Sequence, residues 1–196
     1  MSHPDDAILW KVRAPRLLDH VPRPWIADAV QSIRAEFGAG RRIHQRPEIT
    51  SFHPFVRDRG PKDDDFGVNP GMSLIVTKGP AQYHTDGSFP RFFYLLILHS
   101  RSYCVDGGMW PEPFEADQPG DLICLDSHRH HGLRASWHEG PEDLQPEACR
   151  TDRVIPNFWL ALSMESWASW TPEQTITAYD RGLKHNKALI SAKEYA

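Results

Sequence analysis

The stretch FFYLLIL at residues 92–98 places seven aromatic or aliphatic side chains in a row between polar and turn-forming residues. A short, continuous apolar run of this kind is typical of a β-strand that is buried on both faces. Three further runs have the same character: MSLIVT at 72–77, DLICL at 121–125 and VIPNFWLALSM at 154–164. Because turn residues separate these runs, the sequence predicts a mainly β core, a sandwich or barrel, over residues 72–164.

The N-terminal segment, residues 1–52, is predicted to contain one helix. Pro24 suits the first helical turn, and Gly38 is a natural C-terminal stop. Apolar residues recur between them at helical spacing: Ile26, Val30, Ile33 and Phe37. Residues 8–10 and 41–52 are expected to be extended.

A second helix is predicted near the C-terminus, over residues 171–187. Thr171 is expected to cap it, since Pro172 suits the first helical position and a glutamine follows three residues after the cap. Residues 53–70, rich in proline, glycine and charge, are expected to form a loop with a solvated tip. We expect flanking helices around the β core, in a single domain over residues 1–196.

The composition of the chain argues against several classes of partner. The formal net charge is -4, which argues against non-specific attraction to nucleic acid or to an anionic membrane. No stretch reaches the roughly 18 apolar residues of a membrane helix. The three cysteines show no CxxC spacing, and a sparse, odd set is typical of a reducing compartment. We therefore expect a cytoplasmic protein with no membrane partner.

The segment Gln82-Tyr83-His84-Thr85-Asp86-Gly87 carries the most chemistry. In an extended strand, residues i and i+2 point to the same face, so His84 and Asp86 can reach one metal ion together. A facial Fe(II) site needs one more histidine. The segment DSHRHHG at 126–132 offers His131, with His128 and His130 as competitors.

In the order of these motifs, the chain resembles the Fe(II)/2-oxoglutarate-dependent dioxygenases, within them the prolyl-4-hydroxylase-like branch. The resemblance covers roughly residues 72–164. Its motifs are, in order, His84 and Asp86, then Arg91 with FFYLLIL, DGGMWP at 106–111, PGDLICL at 119–125, His131-Gly132 and RVIPNFWL at 153–160. The interval from His131 to Arg153, 22 residues, is longer than is usual in the family, which implies an inserted loop.

The resemblance implies a double-stranded β-helix, the jelly-roll or cupin-like barrel, and a hydroxylase that consumes O2 and releases succinate and CO2. It implies that His84, Asp86 and His131 hold Fe(II). It also implies that Arg153 pairs with the far carboxylate of the co-substrate 2-oxoglutarate, because a guanidinium meets a carboxylate bidentately. Arg150 is the alternative anchor. Tyr94 is expected either to line the co-substrate pocket or to be a core tyrosine with a satisfied hydroxyl.

Substrate identity is left open by these motifs. A small molecule is the first expectation, with a nucleic acid or a peptide as alternatives. Phe89 and Trp110 are expected to pack in the core, with a place in the pocket wall as the alternative.

Two other functions compete with the oxygenase. One is a cupin-type metal enzyme that does not use 2-oxoglutarate and needs no arginine anchor. The other is an inactive barrel that binds a metal or a ligand without catalysis.

Overall fold

The computed structural model describes residues 6–22, 25, 50–52, 72–77, 81–100, 103–107, 115–135 and 159–194. This part of the chain is mainly β, with two antiparallel sheets. Nine strands occur in it: β1 Ile8–Arg13, β2 Thr50–Phe52, β3 Met72–Thr77, β4 Ala81–His84, β5 Phe92–His99, β6 Tyr103–Asp106, β7 Asp121–Asp126, β8 His131–Ala135 and β9 Trp159–Ser166. A 3-10 helix covers Pro15–His20, and helix α1 covers Pro172–Glu194.

The large sheet has the strand order β1-β7-β5-β9-β3-β2, and the small sheet has the order β4-β8-β6. The runs at 72–77, 92–98 and 121–125 are strands, as their apolar patterns predict. The last run is a strand from Trp159, and residues 154–158 lie outside the described residues. Residues 8–10 belong to β1, which extends to Arg13.

Helix α1 confirms the predicted C-terminal helix and corrects its end. Thr171 and Gln174 form a reciprocal cap: the Thr171 amide donates to Gln174 Oε1 at 2.8 Å, and the Gln174 amide donates to Thr171 Oγ1 at 3.3 Å. The helix continues to Glu194 rather than stopping near residue 187, because residues 188–194 contain no glycine or proline to end it. The predicted N-terminal helix, apart from Trp25, and the loop 53–70 lie outside the described residues.

The large sheet buries both faces, which explains its continuous apolar runs. One face carries the helix-facing cluster, which packs under the 3-10 helix and α1: Leu17, Leu74, Tyr94, Leu96, Leu122, Cys124, Leu160, Leu162, Trp170, Tyr179 and Leu183. The other face meets the small sheet in the inter-sheet cluster: Ala7, Leu95, Ile97, Tyr103, Val105, Ile123, Leu125, Leu133, Trp159 and Ala161. The candidate functional residues belong to the inter-sheet side.

The edge strand β1 is fixed to β7 by charge as well as by its ladder. Lys11 Nζ lies 2.9 Å from Asp117 Oδ1 and 3.0 Å from Asp121 Oδ2, while Arg13 Nη1 lies 2.6 Å from Asp121 Oδ1. Burial works against the charged amine, but the two carboxylates outweigh it and raise the pKa of Lys11. Asp117 also accepts the Val105 amide at 2.7 Å, so it joins the large sheet to β6.

No helix in the described ranges combines the length and apolar character that crossing a bilayer requires.

We expect Gly120→Ala to destabilise the fold. Gly120 has φ +87°, where a side chain is strained, and an added Cβ would lie 2.7 Å from Pro15 Cα. Strain of this kind costs about 1–3 kcal/mol, and the clash adds to it. The free energy of unfolding from urea titration measures the loss. Gly87→Ala is the matched control, because nothing lies within 4 Å of its added Cβ. Equal stability of the two variants would contradict the described turn.

Candidate metal centre

Three side chains from two segments converge at one end of the small sheet. His84 ends β4, Asp86 follows two residues later, and His131 begins β8. His84 and His131 are cross-strand partners, and their ring centroids lie 4.6 Å apart. One ligand atom from each of the three residues lies within 4.8 Å of the other two. The structure therefore brings together the three residues that the sequence motifs single out.

The side chain of His131 lies on the face of β8 that points toward the large sheet. Leu133 belongs to the inter-sheet cluster, and alternation along a strand gives His131 the same face. His131 is buried, whereas His84 and Asp86 are partly exposed. The group thus lies at the margin of the inter-sheet core, with one side covered and the other accessible to a ligand.

Backbone hydrogen bonds fix Asp86 against the turn between β7 and β8. The Asp86 amide donates to the Ser127 carbonyl at 2.8 Å, and the Ser127 amide donates to the Arg91 carbonyl at 2.8 Å. Ser127 Oγ donates to the Pro90 carbonyl at 3.0 Å, and the Phe89 amide closes a turn onto the Asp86 carbonyl. Residues 86–91 and the turn therefore form one unit, which sets the distance from Asp86 to β8.

A buried carboxylate holds the same turn. Asp126 accepts three hydrogen bonds from Arg91, of which the Nη2–Oδ2 bond is the shortest at 2.9 Å, and Arg129 Nε lies 3.3 Å from Oδ2. Its Oδ1 also accepts the His128 amide at 3.2 Å. Burial opposes the charged form, but these partners together lower the pKa of Asp126. The turn that precedes His131 is thereby held from both sides.

The ring of His131 has a defined donor and acceptor arrangement. His131 Nδ1 lies 2.9 Å from the Arg129 carbonyl oxygen, which can only accept, so Nδ1 carries the proton. His131 Nε2 lies 3.3 Å from Asp86 Oδ2. A neutral ring would then oppose its Nε2 lone pair to a carboxylate lone pair. The contact is favourable only if Nε2 holds a second proton or a cation lies between the two atoms.

The distances suit a small divalent cation. Metal bonds of about 2.1 Å at right angles put neighbouring donor atoms about 3 Å apart. His131 Nε2 lies 3.3 Å from Asp86 Oδ2, and His84 Nε2 lies 3.7 Å from Asp86 Oδ1. The hydrogen bond from His131, together with the charges of both rings, lowers the pKa of Asp86 despite its burial. The carboxylate is thus available as an anionic ligand near neutral pH.

On the opposite face of the small sheet, a hydrogen bond between Tyr83 and Asp106 links the two outer strands, β4 and β6. Asp106 on β6 pairs with Gly132 on β8, and Tyr83 precedes His84 on β4. Burial and a hydrogen bond with Asp106 raise the pKa of Tyr83. The Tyr83 hydroxyl thus reaches Asp106 across β8, which lies between β4 and β6. All three strands of the small sheet are linked by this contact.

The competing histidines have other positions. His128 is exposed, and its Nε2 donates to the Phe89 carbonyl at 3.0 Å. His130 is exposed and is not a member of the three-residue group. Arg153 and Arg150 lie outside the described residues, so their assignment stays a prediction.

The structure decides between the two expectations for Tyr94 and corrects its placement in the co-substrate pocket. It lies in the helix-facing cluster, on the opposite face of β5 from Leu95. Its hydroxyl donates to the Ala168 carbonyl at 3.0 Å and accepts the Trp170 amide at 2.7 Å. Its ring also stacks on Trp170, with centroids 4.8 Å apart. Tyr94 is therefore a satisfied core tyrosine and does not line a pocket between the sheets.

Sequence reasoning missed the roles of Asp126 and Ser127 in positioning the ligands. A carboxylate and a hydroxyl next to a His-rich tract are visible in the sequence. Their partners, Arg91 and Pro90, lie more than 30 residues away and carry no pattern that announces the pairing.

Comparison with known proteins gives no independent family assignment: no protein-family model matches the chain, and no curated protein matches it in sequence.

We expect His131→Ala to weaken Mn(II) binding by more than about a hundredfold, since loss of an outer partner of a metal ligand alone costs about tenfold to a hundredfold. Isothermal titration at neutral pH measures the affinity. His130→Ala is the matched control and should bind as the wild type does. Affinity should also fall as the pH is lowered, because protons compete for the imidazole nitrogens. Equal losses in the two variants would contradict His131 as a ligand.

Proposed function

We propose that this protein is a non-haem Fe(II)- and 2-oxoglutarate-dependent oxygenase on a double-stranded β-helix. The contact between His131 Nε2 and Asp86 Oδ2 carries the proposal: Nδ1 is bonded to the Arg129 carbonyl, so Nε2 is the ring nitrogen that can share a cation with Asp86. The motif order from His84 to Arg153 supports the choice of co-substrate.

The donor set favours iron over a structural zinc ion. Two imidazole nitrogens and one carboxylate on one face, with open positions opposite, are typical of non-haem Fe(II) oxygenases. A structural zinc site is closed by four protein ligands. Within the described residues the group has three members. The open positions are where a chelating co-substrate and O2 would bind.

When bound, iron and 2-oxoglutarate supply the oxidation of a substrate C–H bond, with release of succinate and CO2. The chain's own residues provide orientation. The Arg129 carbonyl holds the His131 ring in one tautomer, which raises the donor strength of Nε2. The tie between Asp86 and Ser127 keeps the carboxylate facing that ring.

The direct test is formation of succinate from 2-oxoglutarate with Fe(II), ascorbate and a panel of substrates. We expect turnover in the wild type and a loss of more than about a hundredfold in Asp86→Ala, since the carboxylate anchors the metal. Asp19→Ala is the matched control, because Asp19 is exposed on the 3-10 helix and outside the three-residue group. If the wild type never exceeds Asp86→Ala with any substrate, the oxygenase proposal falls.

Arg153→Ala and Arg150→Ala, tested in the same assay, separate the oxygenase from a cupin-type enzyme that needs no 2-oxoglutarate. Loss of the anchoring guanidinium raises the 2-oxoglutarate concentration needed for half-maximal turnover, because a bidentate pair with the far carboxylate is removed. The alanine variant of the arginine that is not the anchor keeps the wild-type requirement. An unchanged requirement in both variants would favour the cupin-type alternative.

A further inference from the structure

Two large aromatic side chains remain exposed beside the candidate metal centre. Trp167 is 63% exposed and Phe89 is 51% exposed, among the large apolar residues that the structure describes. Neither is used in the core, although tryptophan is usually well buried in folded proteins. Phe89 lies three residues after Asp86, and Trp167 directly follows the last residue of β9.

Phe89 is linked to the metal group through the turn that holds Asp86. Its amide donates to the Asp86 carbonyl at 2.8 Å, and only two residues lie between Phe89 and this candidate ligand. Its ring meets Phe93 edge-on at 6.5 Å, which limits its freedom while half of the side chain stays accessible.

Trp167 reaches the same place from β9. Ser166, the last residue of β9, pairs with Phe92, and Phe92 pairs on its other side with Asp126. Trp167 therefore leaves the sheet at the end where the β7–β8 turn begins. Its ring meets the ring of His128 edge-to-face, with centroids 6.2 Å apart.

His128 contacts both Trp167 and the backbone of Phe89. Its Nε2 donates to the Phe89 carbonyl at 3.0 Å, and its ring contacts Trp167. It follows Ser127, whose carbonyl holds Asp86. Phe89, His128 and Trp167 are thus neighbours beside the turn that holds Asp86, and we call these three residues the aromatic rim.

We propose that this aromatic rim binds a planar aromatic ring of the substrate, and that it selects substrates by stacking. The inference rests on the proposed function in one respect: it takes the metal group as the place where the substrate is oxidised. Exposed aromatic side chains beside a polar site present flat apolar surface to a ligand, and rings stack on them in offset or edge-on arrangements. A saturated ring of the same size cannot make the same contact.

The test compares probes that carry a planar aromatic ring with counterparts of equal charge that lack one. The first pair is 2-naphthoate and decahydro-2-naphthoate. The second pair is adenosine 5′-monophosphate and ribose 5-phosphate. Dissociation constants come from ligand-observed NMR titration of the full chain with Mn(II) and without 2-oxoglutarate. In the wild type we expect at least one planar probe to bind about tenfold more tightly than its counterpart.

Three substitutions test whether the preference for planar probes depends on Trp167 and Phe89. Trp167→Leu keeps an apolar side chain but removes the ring, so the planar preference should fall to about threefold or less. Trp167→Phe keeps a ring and should retain most of the preference. Because Trp167 is exposed, both variants should unfold at the wild-type temperature. Phe89→Leu should lower the preference in the same direction.

Each result has a defined meaning. A Trp167-dependent preference in the naphthyl pair alone assigns a benzenoid ring, and one in the nucleotide pair alone assigns a nucleobase. No planar preference in either pair, or a preference that Trp167→Leu and Phe89→Leu leave unchanged, overturns the inference. Because these titrations need no turnover, failure of the succinate assay would remove the proposed function without changing this outcome.

Discussion

The hydrogen bond from the Asp86 amide to the Ser127 carbonyl is the contact on which the candidate centre depends. His131 lies 45 residues after Asp86 in the chain, and this bond joins the turn before His131 to the segment that carries the carboxylate. The Arg91–Asp126 pair reinforces the same junction from inside the fold. These contacts hold the backbone of Asp86 against the turn before His131, so the fold itself sets the spacing of the two segments that carry the candidate ligands.

The two faces of the large sheet have different roles: one packs against the helices, and the other faces the small sheet, which carries the candidate metal centre. On the helix-facing side, Tyr94, Trp170 and Tyr179 pack together, and the Tyr179 hydroxyl lies 2.6 Å from both the Tyr94 and Leu162 carbonyls. Burial raises the pKa of Tyr179, which therefore stays a neutral donor. This side holds α1 on the sheet. The inter-sheet side carries the candidate metal centre, His84, Asp86 and His131, at its margin. Charged and partly exposed side chains disturb the packing of the core less there than they would in its interior.

Much of the fold could be predicted from the sequence, because strands buried on both faces read as continuous apolar runs. Alternation along a strand also predicted a common face for His84 and Asp86. The two side chains do meet in one group, but Asp86 lies two residues beyond the end of β4 and is placed by its bond to Ser127. Periodicity could not choose between the two expectations for Tyr94, since it does not tell which face of a doubly buried strand meets the helix and which meets the other sheet. The choice of His131 over His128 depends on the turn: His131 starts β8 in register with His84, whereas the ring of His128 is bonded to Phe89.

The central claim is that His84, Asp86 and His131 ligate one iron ion that also binds 2-oxoglutarate. A crystal structure with Mn(II) and an inert 2-oxoglutarate analogue tests it most directly. The account predicts one ion bonded to both Nε2 atoms and to an Asp86 oxygen at about 2.0–2.2 Å, with the analogue on the open side and Nδ1 of His131 still bonded to Arg129. An ion held elsewhere, or an ion at this group with the analogue bound away from it, would contradict the account.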